Sequence, residues 1–170
     1  TVDNISAKKL LLKSGNTLVD GDIALRGLPD IRTTFIDFKS NDLQTNYGDM
    51  TTIIPLLKKV TQPNLAQLGN IRFKGNFTGF ITDFVAFGNI QTSLGNLNAD
   101  LNMKLPENGP PVYSGKISSQ GFNLGRFIGN SELGNIALDG KVSGRGFSRR
   151  DLDMNFDGKI YKLDFNGYTY

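Results

Sequence analysis

The sequence predicts an all-β fold: long antiparallel strands in a curled open sheet, with one short helix at about residues 46–60. Three observations carry this. Apolar residues alternate with polar ones through the second half of the chain, the period-two signature of half-buried antiparallel strands. The chain holds 20 glycines in 170 residues, placed inside the alternating segments and not in linkers. Many of them open the same three-residue unit of glycine, a polar residue and an apolar residue, as in Gly21-Asp22-Ile23, Gly75-Asn76-Phe77, Gly88-Asn89-Ile90, Gly115-Lys116-Ile117, Gly140-Lys141-Val142 and Gly158-Lys159-Ile160. The spacing of the units is irregular, which suits successive strands of similar build and not a strict solenoid.

The elements follow in order. Gly27-Leu28-Pro29-Asp30 is a turn. Met50, Ile53, Ile54 and Leu57 follow helical spacing, with Thr45 or Asp49 as N-cap and Pro55 as the residue that breaks the helix. That helix is expected to cover an edge or end of the sheet. Ile71, Phe73, Gly75, Phe77, Gly79 and Ile81 then share one strand face, opposite Arg72, Lys74, Asn76, Thr78 and Phe80. Leu97, Ala99, Leu101, Met103 and Leu105 form a second such face. The loop from Pro106 to Pro111 links two long strands and is expected at the surface. Ile136, Leu138, Gly140, Val142 and Gly144 form a third face, and Leu152, Met154, Phe156, Gly158 and Ile160 a fourth. After Ile160 the apolar parity moves to Tyr161, Leu163 and Phe165, so a turn or bulge must intervene.

Glycine on an apolar strand face is unusual. It weakens a strand and leaves a gap where a compact core needs bulk. Its recurrence there implies strong curvature, or a surface that something approaches closely. The chain reads as a single β-rich segment, residues 1–170, with a subdivision into strands plus helix over 1–65 and a long-strand meander over 66–170. With Thr1 in place of an initiator Met, and Tyr170 on what reads as a half-finished strand, the expectation is a segment of a larger protein.

Composition narrows the chemistry. Cysteine and histidine are both absent, so disulfides, thiolate nucleophiles, cysteine-based metal sites and the usual general base are excluded together. The net charge of +3 is spread thinly and does not suggest nucleic acid. Arg145, Arg149 and Arg150 form the nearest thing to a basic cluster, to be weighed as a phosphate site against a solvated turn.

Asp151, Asp153, Asn155 and Asp157 superficially resemble a calcium loop. Phe156 stands where the loop's glycine belongs, no glutamate closes the run, and apolar residues between the acids mark a strand. Gly134 to Val142 fails as a phosphate-binding loop on spacing and on the missing Ser or Thr. Gly144-Arg145-Gly146 lacks the third glycine and the helix of a dinucleotide site. Glu107 and Glu132, the only glutamates, fall in predicted loops, and no facing carboxylate pair emerges. The expectation is a protein that is not an enzyme, with no metal and no cofactor. The apolar faces then have two readings: an ordinary core, or a greasy channel for acyl chains.

Gly27-Leu28-Pro29-Asp30-Ile31, the strand reaching Phe38, the helix with Pro55, Pro111-Val112-Tyr113-Ser114-Gly115-Lys116-Ile117, Phe122-Asn123-Leu124-Gly125, Gly140-Lys141-Val142-Ser143-Gly144-Arg145-Gly146 and Asn166-Gly167-Tyr168-Thr169-Tyr170 resemble TamB-type translocation and assembly proteins of the Bacteroidetes, within the AsmA-like family of bridge-like envelope proteins. The resemblance covers most of the chain. It implies a periplasmic body anchored in the inner membrane by a segment outside this one, a β-taco trough with an apolar interior, and a part in outer-membrane biogenesis. It further implies phospholipid acyl chains as cargo and, through regions outside these residues, a TamA- or BamA-like barrel as partner. The expected lining is Ile71, Phe73, Phe77, Ile81, Leu97, Leu101, Met103 and Leu105, continued by Tyr113, Ile117, Ile136, Leu138, Val142, Leu152, Met154 and Phe156. The alternatives are a purely structural β-bridge, and a scaffold that assists outer-membrane barrels by pairing with their strands.

Overall fold

The computed structural model describes residues 3–147 and 150–170. They form one antiparallel sheet in sequence order: β1 (Asn4–Ser14), β2 (Thr17–Arg26), β3 (Phe35–Asn46), β4 (Asn70–Phe80), β5 (Asp83–Thr92), β6 (Gly95–Lys104), β7 (Val112–Asn123), β8 (Leu133–Arg145), β9 (Asp153–Phe165) and β10 (Tyr168–Thr169). The sheet is a meander whose first and last strands do not meet, so it stays open. Each strand packs chiefly on its neighbours in sequence. Among the described residues no second sheet lies against the apolar face.

Two short helices interrupt the meander, α1 (Tyr47–Ile53) between β3 and β4 and α2 (Leu124–Ile128) between β7 and β8. Both connections lie at the same end of the strands. There, with the 3₁₀ turns Pro55–Lys59 and Leu65–Leu68, they close over one lip of the sheet. The Asn64 N–H donates to the Phe127 carbonyl (2.8 Å), the Ser93 N–H donates to the Leu68 carbonyl (2.9 Å), and Arg126 Nη2 donates to Gln67 Oε1 (2.7 Å). The helical lip therefore bridges the β5–β6 turn. The opposite lip carries only loops.

Several local expectations need correction. The N-cap of α1 is Asn46, whose side chain accepts from the Asp49 N–H (2.9 Å), and neither Thr45 nor Asp49 takes that role. Thr45 is buried in the sheet, where its hydroxyl meets that of Thr17 (2.9 Å). Asp49 receives the Thr17 hydroxyl and the Asn16 N–H. The helix stops at Ile53, and Pro55 opens a 3₁₀ turn, which accounts for the break. Its buried residue is Thr51, while Ile53 is 60% exposed. The single expected helix is joined by α2, capped by Asn123 through the Arg126 N–H and ended by Gly129 in the left-handed region. Five residues are too few for helical periodicity to register.

Curling follows from how the apolar face is shielded. Phe38, Tyr113, Ile136, Leu138 and Val142 are buried although no layer covers them, so the sheet bends round its own apolar side. The total accessible surface is 10521 Å². A compact monomer of this mass, 18.6 kDa, has roughly 8,200 Å². The excess is what an uncovered face and two free edges cost.

Candidate functional site

The register of the strands places glycines from distant parts of the chain side by side. Gly21 lies opposite Ser40, Ser40 opposite Gly75, Gly75 opposite Gly88, and Gly88 opposite Ala99. Ala99 then faces Ile117, Ile117 faces Gly140, and Gly140 faces Gly158. This row of small residues crosses eight strands along the hydrogen-bonding direction, on the apolar face.

Two apolar rows flank it. Toward the loop lip run Ile23, Phe38, Phe77, Ala86, Leu101, Gly115, Val142 and Phe156. Toward the helical lip run Val19, Leu43, Phe73, Ile90 and Leu97, then Ser119, Leu138 and Ile160 beyond a break at β7. The result is a groove with a floor of small residues between apolar walls. The walls stand four residues apart, about 13 Å along the strand, and seven strand spacings between β2 and β9 give a length of about 34 Å. None of these residues is ionisable.

The floor requires glycine. A Cβ on Gly75 (φ 153°) would stand 2.0 Å from the Phe87 carbonyl oxygen and 2.7 Å from Gly88 Cα, and one on Gly88 would stand 2.2 Å from the Lys74 oxygen. The two backbones meet where any side chain would force them apart. Bulges lie just beside this line, at Lys8–Lys9 of β1, Asn41–Asp42 of β3 and Gln120–Gly121 of β7, and bulges increase local bend and twist. The crease of the trough is the glycine row. Two side chains interrupt it: Ile117 rises from the floor, and the Phe156 ring lies over the last two glycines, 2.7 Å from a Cβ placed on Gly140.

The expected lining residues fall out as follows. Phe73, Phe77, Leu97, Leu101, Leu138, Val142 and Phe156 are walls, and Ile117 is floor. Met103 and Tyr113 occupy the next row toward the loop lip, where the Tyr113 hydroxyl donates to the Gly146 carbonyl (3.3 Å) and its ring stacks on Phe147. Burial raises the pKa of that phenol. Ile71 and Ile136 lie at the helical lip, Ile81 is buried in the β4–β5 turn, and Leu105 follows β6 with its N–H on the Thr82 carbonyl. Leu152 lies just before β9 and is 46% exposed, and Met154 is 50% exposed. Both stand at the last long strand, where no further wall shields them.

Sequence reasoning missed Phe38, Leu43, Phe84, Ala86 and Ile90. In β5 the outward Val85 and Phe87 are also apolar and exposed, which hides the alternation. Tyr161 is the bulged residue expected after Ile160: Ile160 faces Leu138 and Lys162 faces Ala137.

Charge sits on the outer face and at the lips. Asp42 takes two hydrogen bonds from the Arg72 guanidinium (2.5 and 2.6 Å), which hold its carboxyl down at about 2. Asp30 is likewise lowered to about 2 by Arg32. Lys116 pairs with Asp139 (3.4 Å), and Asn89 donates to Asn98. A polar cleft of ≈ 1080 Å³ lies beside α1, lined by Thr17, Thr45, Asn46 and Arg72 among others. The acidic run Asp153 to Asp157 is strand β9. Of the basic cluster, Arg145 pairs with Asp153 (3.7 Å), Arg150 is also partnered, and Arg149 lies outside the described residues. Among the described residues no group of acids is placed to hold a metal, and no helix is long and apolar enough to cross a membrane. Compared with family models, with curated proteins and with solved structures, the chain matches none.

Proposed function

We propose that this sheet carries lipid: an acyl chain lies along the glycine row, and the polar head remains outside the lip. The observation that supports this reading is the groove itself, a floor of small residues between two uncharged apolar walls, uncovered by any second layer. Its length of about 34 Å exceeds the roughly 15 Å that one acyl chain spans in a bilayer leaflet. Each methylene removed from water contributes about 0.8 kcal/mol, and a smooth apolar floor offers no hydrogen bond that would fix the chain at one point. Such a track suits movement along the trough.

With the resemblance to TamB-type proteins, the setting we propose is the periplasm. There the segment would form part of an inner-membrane-anchored bridge that carries phospholipid in outer-membrane biogenesis and meets a TamA- or BamA-like barrel through other regions. Catalysis has no part in this reading.

Native mass spectrometry of the purified chain, followed by lipid extraction, is the direct experiment. Phospholipid at near one per chain, lost in the variant carrying Leu101→Asp and Phe156→Asp, is the expected result. A folded, soluble chain free of lipid would overturn the reading and leave the structural bridge.

A further inference from the structure

The outer face of the sheet, behind the apolar groove, is dished over β5 to β9. Two adjoining cavities lie there, of ≈ 870 Å³ and ≈ 400 Å³, and Asn89, Asn98 and Ser118 line both. The register accounts for their alignment: Asn89 faces Asn98, Asn98 faces Ser118, and Ser118 faces Asp139. Four side chains from four strands therefore stand in one line across the sheet. Asn89, Ser118 and Asp139 are half-buried and Ala137 beside them is buried, as a concave surface requires. A bulge brings Gln120 to the same wall. The Ser119 hydroxyl donates to the Asn96 carbonyl (2.7 Å) and accepts from the Gly121 N–H (3.1 Å), which pins that bulge. A ring lines each end, Phe87 of β5 and Tyr161 of β9. Four strand spacings separate these two strands, about 19 Å.

We propose that this dished row binds an extended, neutral oligosaccharide. A sugar hydroxyl both donates and accepts, so it is recognised by groups that offer both functions side by side. The bond from Asn89 Nδ2 to Asn98 Oδ1 (3.0 Å) arranges this. It uses one N–H of Asn89 and the oxygen of Asn98, and the pair still carries the Asn89 oxygen and the Asn98 amide hydrogens. Fixed to each other, the two amides are ordered before a ligand arrives, which lowers the entropy cost of binding. Ser118 and Gln120 add groups of the same dual kind. The rings at the two ends suit the other side of a sugar: an aromatic face is negative and attracts the weakly positive C–H groups of a pyranose face. A straight row matches a β-linked chain, which runs extended, and not an α-linked chain, which coils.

Other ligand classes fit this surface less well. Among the described residues, the only charged side chain lining the larger cavity is Asp139, and Lys116 of the smaller cavity pairs with it (3.4 Å). Lys116 also faces Asp100, so a phosphate or an acidic peptide meets no unmatched positive charge. Strands β5 to β8 are paired on both sides, which leaves no backbone ladder for an added strand. An apolar partner would bury amides without satisfying them. This inference does not depend on what the groove on the opposite face holds.

Amide NMR of the whole isotope-labelled chain, titrated in turn with cellohexaose, N-acetylated chitohexaose, maltohexaose and inorganic phosphate, is the experiment. The expected result is a saturable shift of the signals around Asn89, Asn98, Ser118 and Gln120 with one or both of the β-linked chains, while β1 to β3 stay unmoved. Asn98→Ala and Ser118→Ala should each weaken that binding by about tenfold. Both side chains point outward, and far-UV circular dichroism checks that each variant keeps its sheet. Maltohexaose should bind about tenfold more weakly than the better β-linked chain. The proposal is overturned if neither β-linked chain gives a saturable shift, or if phosphate binds these residues more tightly than either. Equal binding of maltohexaose, or binding that both alanine variants retain in full, would overturn it as well.

Discussion

At the scale of single residues, the glycines of the crease decide the shape. Gly75 and Gly88 face each other in β4 and β5 with backbones too close for a Cβ on either. Replacing Gly75 by Ala puts a methyl against a neighbouring carbonyl in a backbone conformation that side chains rarely adopt. The expected destabilisation is about 1–3 kcal/mol, read as a lowered thermal midpoint. Gly121, where an added Cβ meets nothing within 4 Å, is the control. If Gly75→Ala and Gly121→Ala melt alike, the crease does not rest on close backbone contact. This also explains why the glycines could be picked out from sequence while their purpose stayed open. Alternation places Gly75 on the apolar face, but only the pairing partner shows what a side chain there would strike.

Between elements, the join of β3 to β4 beside the helical lip rests in part on Asp42 and Arg72. The Asp42 side chain is 17% exposed and Arg72 is 44% exposed, so the pair is partly shielded. The folded pKa of Asp42, about 2, lies below the usual unfolded value of about 4. A depressed carboxylate contributes stability that is complete above about pH 4 and is lost as pH falls toward 2. Asp42→Asn should therefore melt with a shallower dependence on pH between 4 and 2 than the parent chain, with little change in that slope at neutral pH. An unaltered acid limb in differential scanning calorimetry would show that the pair does not couple the strands. The pairing was not evident in the sequence. Asp42 sits in a bulge, and the offset it introduces brings Arg72, 30 positions away, within reach of its carboxylate.

At the scale of the whole molecule, strands that pack chiefly on their sequence neighbours behave as a nearly one-dimensional array. Local opening should then begin at the ends. Hydrogen exchange is expected to be slowest in β4 to β8, where both sides are paired and α2 packs on β8, and fastest in β1, whose Leu11 and Leu12 are 72% and 52% exposed. Uniform protection from β1 to β9 would instead indicate an all-or-none domain.

The sequence by itself determined the class of fold, the period-two strands from Ile71 onward, the parity change after Ile160 and the loop between β6 and β7. Each of these is set by local residue order, because a strand declares its buried face every second residue. The sequence also set which chemistry is out of reach, since histidine and cysteine are missing altogether. Tertiary structure alone decided that the apolar face remains uncovered, that Gly21, Gly75, Gly88, Gly140 and Gly158 fall into one line, and that both helical connections cover the same lip. Leu152 and Met154 stand exposed at one end of the expected lining, and Phe38 and Ala86 join its walls, for the same reason. Alternation names a face, but whether a residue on it becomes wall, floor or open edge depends on strand register. One bulge moves that register by a residue, and no single strand contains its neighbour's position.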